Sequence, residues 1–85
     1  MASVQTTANP LEEIADFLAS GPSPEELLRF RPSAQLQGRA EELLGKLKDG
    51  QLSSEERREL DQFEYAERLM RLTKARIHAR KVPQP

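Results

Sequence analysis

Residues 53–82 read SSEERRELDQFEYAERLMRLTKARIHARKV, and neither glycine nor proline interrupts them before Pro83. Ser53-Ser54-Glu55-Glu56 has the spacing of a capping box. In it a serine hydroxyl accepts from the third backbone N–H of a new helix and a glutamate reaches back to the serine's own N–H. Glu55, Glu56 and Glu59 lie where the positive end of a helix dipole favours acids, and Arg76, Arg80 and Lys81 lie where the negative end favours bases. The stretch predicts one helix from Ser54 to about Lys81, roughly 40 Å long at 1.5 Å per residue. Successive residues turn 100°, so Phe63, Ala66, Met70, Thr73 and Ile77 form one stripe, while Tyr65, Leu69 and Leu72 form a second about 120° away. One stripe can pack on the preceding helix. The second belongs either to a wide core face or to a dimer or partner surface.

Upstream, the same signals mark three shorter helices. Ser33 opens a segment in which Leu36, Ala40, Leu43, Leu44 and Leu47 recur on one face until Asp49-Gly50. Ser23-Pro24-Glu25-Glu26 is a second capping box, followed by Leu27, Leu28 and Phe30 before Pro32 forces the chain out of helix. Asn9-Pro10 places a capping side chain ahead of a proline at the first helical position. Leu11, Ile14, Ala15, Phe17 and Leu18 then follow at helical spacing to Ser20-Gly21. The expected fold is all-α: two short N-terminal helices, then an antiparallel helical hairpin, joined at Asp49 to Leu52, with a long C-terminal helix. Residues 1–8 are expected to be a flexible tail, 9–82 a single helical domain and 83–85 a C-terminal tail.

Charge divides the chain. Residues 1–67 hold all 14 acids and only 7 bases, whereas residues 68–85 hold 6 bases and no acid. A molecule so divided tends to meet something through its basic end. A chain of 85 residues buries little core, and its 36% apolar and 32% charged content suits a small helical protein. There is no cysteine, hence neither disulfide nor thiolate metal site, which fits a reducing compartment. The first nine residues lack the basic start and apolar run of a secretory signal, and no apolar stretch reaches about 18 residues. The apolar residues beyond Met70 on the basic helix are only Leu72 and Ile77, too few to anchor it on lipid. The expectation is a cytoplasmic protein with no membrane attachment.

The candidate chemistry is sparse. His78 is the only histidine and lies among Arg76, Arg80 and Lys81, which disfavour both imidazolium and a bound cation. Its neighbours three and four residues away, Lys74, Ala75, Lys81 and Val82, offer no ligand atom pair for a metal. The acid pairs Glu12-Glu13, Glu25-Glu26, Glu41-Glu42 and Glu55-Glu56 fall in first turns or on polar helix faces, where they read as dipole partners and solvated surface. Gly21, Gly38, Gly45 and Gly50 form no phosphate-binding spacing. No catalytic residue, metal site or cofactor is assigned, and the chain is expected not to be an enzyme. A helix-turn-helix reading of residues 10–31 fails on charge, because Glu25 and Glu26 would face phosphates at the end that should enter the groove.

Binding is the remaining class. Tyr65, Leu69 and Leu72 are the candidate apolar anchors, with Arg68, Arg71 and Arg76 as their charged surround, since aromatic and arginine side chains commonly dominate protein interfaces. A nucleic-acid partner would use Arg68, Arg71, Lys74, Arg76, Arg80 and Lys81. Those residues spread round the helix, however, with no interleaved aromatic for base stacking. A structural homodimer is the third class.

The stretch Ala15-Asp16-Phe17-Leu18-Ala19-Ser20-Gly21-Pro22-Ser23-Pro24-Glu25-Glu26, then Phe30-Arg31-Pro32-Ser33, Glu55-Glu56-Arg57 to Leu60-Asp61, Leu69-Met70-Arg71-Leu72 and Lys74-Ala75-Arg76, resembles a family of small, mostly uncharacterised bacterial proteins abundant in cyanobacteria. The likeness covers about residues 11–80. Members of that family are often encoded beside a small HNH-type endonuclease, in an arrangement similar to toxin and antitoxin pairs. The resemblance implies an all-helical, antitoxin-like protein with a nuclease as partner, and it transfers no functional residue. Where members commonly open the last helix with Thr-Pro, this chain has Ser53-Ser54, which keeps the cap and loses only proline's pre-set angle.

Overall fold

The structure, a computed structural model, describes residues 9–81. The tails expected at 1–8 and 83–85, and the helical domain's last residue at 82, lie outside the described residues. Within them the chain forms four helices and no strand: α1 (Pro10–Ala19), α2 (Pro24–Leu28), α3 (Ala34–Lys48) and α4 (Ser54–Lys81).

Each helix begins where a side chain satisfies its free N–H groups. Asn9 Oδ1 accepts from the N–H groups of Leu11 and Glu12, and Pro10 takes the first helical position, where a missing donor costs nothing. Ser23 and Glu26 close a reciprocal capping box on α2, and Ser53 and Glu56 close another on α4. Ser33 caps α3 through the Leu36 N–H, while its own N–H donates to Glu13 Oε2 at 2.8 Å, tying the start of α3 to α1.

Two helix ends use glycine. After α3, Gly50 adopts φ 71°, its N–H donates to the Leu47 carbonyl, and the Gln51 N–H reaches back to Lys46 at 2.8 Å, a complete Schellman motif. After α1, Gly21 turns with φ 72° and donates to Leu18. Pro22 follows and has no N–H to make the second bond.

Helices α3 and α4 run antiparallel, as the ion pairs between them show. Lys46 near the end of α3 binds Glu56 at the start of α4, and Arg39, two turns earlier on α3, binds Glu59. The Arg39 guanidinium makes two parallel bonds to Glu59, at 2.7 and 2.8 Å, a fork geometry that sets both distance and rotation. Leu36 and Leu43 on α3 and Leu60 on α4 are buried, and Leu43 alone has no exposure at all (0%).

The stripe Phe63 to Ile77 does not pack on α3 along its whole length. Ala66 and Met70 form a buried cluster with Ile14 of α1, against which Leu27 and Phe30 are partly buried. The reason is length. In the register of those ion pairs, the first turn of α3 reaches only about as far as residues 62 to 66 of α4, and α1 and α2 cover the next two turns. Phe17 and Phe30 stack at 4.8 Å between ring centres to join α1 to the end of α2. Lys74 Nζ donates to the Phe30 carbonyl at 3.0 Å, the last tie between α4 and the N-terminal half. The apolar stripe of α3 is likewise only half used. Leu44 is 51% exposed and Leu47 42% exposed, one because it faces a groove and the other because it lies level with the very start of α4.

Candidate functional site

The apolar packing of α4 is on one side. Its buried residues Leu60, Ala66 and Met70 and its half-buried Phe63, Thr73, Lys74 and Ile77 fall within an arc of about 140° at 100° per residue. The opposite face carries Tyr65, Leu69 and Leu72, which are 60%, 44% and 46% exposed. No other described helix covers them. Arg76 lies between them in angle, about 20° from the line through Tyr65, and Arg68 flanks them at about 60°. Neither Arg68 nor Arg76 makes an ion pair among the described residues, so both guanidinium groups are available to a partner.

Of the six residues singled out in the sequence, five therefore share this outer face. The structure places Arg71 elsewhere, about 120° round the helix from Tyr65, where its Nη1 binds Glu67 at 3.1 Å. Its angular position is readable from helical spacing alone, and Glu67, one turn earlier, draws the side chain away from the outer face.

Arg71 and Lys74 instead border a groove of about 590 Å³ between α4 and the other helices, floored by Ile14, Leu36, Leu60 and Met70. Sequence reasoning missed this groove. It forms where α1 and α3 diverge on the surface of α4, a matter of tertiary register that no local pattern carries. Its exposed apolar signal is Leu44, which the sequence placed in the core stripe.

The hairpin behind the outer face is held electrostatically. Glu59 first, and Glu42 second, hold the Arg39 guanidinium well above its ordinary pKa through their hydrogen bonds. The bond from Lys46, with a further one from the Ser53 backbone, lowers the Glu56 carboxyl to about 2. These groups orient α3 on α4 and present no cluster open to a ligand. Among the described residues no group of three or more histidine or acidic side chains could hold a metal ion, and no helix is long and apolar enough to cross a membrane. His78 is exposed.

No protein-family model, curated protein or solved structure matches the chain.

Proposed function

We propose that this chain is a non-enzymatic protein-binding module whose contact surface is the outer face of α4. The observation that carries this reading is the uncovered row Tyr65, Leu69 and Leu72 on a helix whose other large apolar residues, Leu60, Phe63, Met70 and Ile77, are buried or half-buried on the opposite side. Three large apolar side chains one helical turn apart, flanked by unpaired arginines, have the composition of an interface centre and its rim. The protein works in the cytoplasm on this reading, in keeping with its lack of cysteine.

A nucleic-acid partner is supported less well. Of the basic side chains that would contact phosphates, Lys74 is engaged with the Phe30 carbonyl and Arg71 with Glu67, and the three left, Arg68, Arg76 and Arg80, are interleaved with the exposed apolar row Tyr65, Leu69 and Leu72. An antitoxin-like role follows if the partner is a nuclease of the HNH type, as the family resemblance implies. Covering the nuclease surface that takes up substrate would inhibit it without any chemistry on the part of this chain.

The test is retention of a partner from the native host, with and without nuclease treatment, by the wild type and by two variants. Leu69→Asp should abolish retention of a protein that survives nuclease treatment, while the paired substitution Arg71→Gln, Lys74→Gln should leave it unchanged. Loss of binding on nuclease treatment, or on the second substitution and not the first, would overturn the reading in favour of nucleic acid.

A further inference from the structure

From Gln62 onward, α4 presents Gln62, Tyr65, Leu69, Leu72, Arg76 and Ala79 at alternating steps of three and four residues, the spacing of a coiled-coil seam. From Tyr65 to Ala79 that seam coincides with the exposed helix face turned away from α1, α2 and α3, and Gln62 at its start is half-buried. We infer that it is covered by a second copy of the same chain, the two α4 helices packing antiparallel about a two-fold axis near residues 70 and 71. The inference rests on the outer face of α4 being a protein-binding surface, and it names the occupant.

Two features of the chain point to that occupant. The first is steric and chemical self-complementarity. Setting Leu69 opposite Leu72 of the second copy places Tyr65 level with Arg76 and Gln62 level with Ala79. Symmetry repeats each layer, so two leucine layers at the centre are flanked by two in which a guanidinium meets an aromatic ring. The seam alternates its two coiled-coil positions across the axis, as antiparallel pairing requires. The second feature is charge. Residues 54–67 of α4 carry six acids and two bases, and residues 68–81 carry six bases and no acid. The change of sign falls within a turn of the two-fold axis. An antiparallel pair therefore sets each acidic half beside a basic half, with Asp61 level with Arg80 at the edges of the seam, whereas a parallel pair would set six bases beside six. The division of charge along this chain is thus what antiparallel self-pairing of α4 needs.

The seam is only about 26 Å long, at 1.5 Å per residue, so the interface is small and the association is weak and concentration-dependent. Sedimentation equilibrium of the purified full chain from micromolar to millimolar concentration tests it. The mass should rise from 9.6 kDa toward twice that value. Association should weaken by about tenfold or more in molar sodium chloride, which screens the charged halves. Leu69→Asp and Arg76→Glu, both at exposed positions, should remain monomeric with unchanged helicity. Because the chain has no cysteine, single variants Tyr65→Cys and Arg76→Cys report the register. Mixed and oxidised, they should join chiefly to each other.

A wild type that stays monomeric throughout, a dimer indifferent to Leu69→Asp, or disulfides formed mainly between identical variants would each overturn the inference. A monomer that still captures a different protein through Leu69 would overturn only the identity of the occupant and leave the binding face in place. A monomer that captures nothing would overturn both.

Discussion

Truncating Leu43 to alanine should destabilise the protein by about 3 kcal/mol, whereas the same change at its neighbour Leu44 should cost less than about 1 kcal/mol. Among the described residues Leu43 is the one side chain with no exposure, on α3 facing α4, and Leu44 keeps half of its surface in water. Removing three buried carbons at about 0.8 kcal/mol each gives about 2.4 kcal/mol, and the cavity left between two helices held by the Arg39–Glu59 fork and the Lys46–Glu56 pair adds to that. Domains of this length are stable by roughly 4 to 13 kcal/mol, so the loss is a large share of the total. Urea unfolding followed by far-ultraviolet circular dichroism reads it directly. With a slope of about 1 kcal/mol per molar, the midpoint for Leu43→Ala should fall by roughly 3 M and that for Leu44→Ala by less than about 1 M. Dilute protein keeps self-association from contributing to the apparent stability. Equal losses at the two positions, or a loss under about 1 kcal/mol at Leu43, would refute the placement of the α3–α4 contact.

Other outcomes follow from the caps and ion pairs. Gly50→Ala should cost about 1 kcal/mol in the same assay, because an L side chain is strained at φ 71° even though open space surrounds the site. Folding lowers the Glu56 carboxyl from an ordinary 4.5 to about 2, so its contribution to stability is complete above 4.5 and is lost as pH falls toward 2. Glu56→Gln, which can still serve the capping box, should flatten the decline in stability over that interval. Arg39→Lys keeps the charge and loses the fork to Glu59, and should cost about 1 kcal/mol. A double-mutant cycle with Glu59→Gln should assign most of that loss to the pair.

Helix starts and stops were legible in the sequence because they depend on contacts within four residues. Asn9, Ser23, Ser33 and Ser53 cap as their spacing implies, and Gly21 and Gly50 end α1 and α3. The row Tyr65, Leu69 and Leu72 was legible for the same reason, since one angle per residue separates it from Ala66 and Met70. What was not legible is set by pairs distant in the chain. Nothing local shows that Glu13 meets the Ser33 N–H, that Arg39 selects Glu59, or that α3 ends its cover of α4 near Ala66 and hands Met70 to Ile14 and Phe30. Leu44 and Leu47 followed the apolar period of α3 and still emerged exposed, because periodicity names a face and does not say how far the facing helix extends.

The chain contains one tyrosine and no tryptophan, so its intrinsic fluorescence reports on Tyr65 alone, in the layer next to the leucines at the centre of the proposed interface. Iodide quenching of that fluorescence, followed from dilute protein to millimolar concentration, is the most direct test of the outer face of α4 as a contact surface. The account predicts a ring freely quenched when dilute and progressively shielded as copies pair, with no shielding in Leu69→Asp. A ring already shielded at the lowest concentration, or one quenched equally at every concentration, would contradict it.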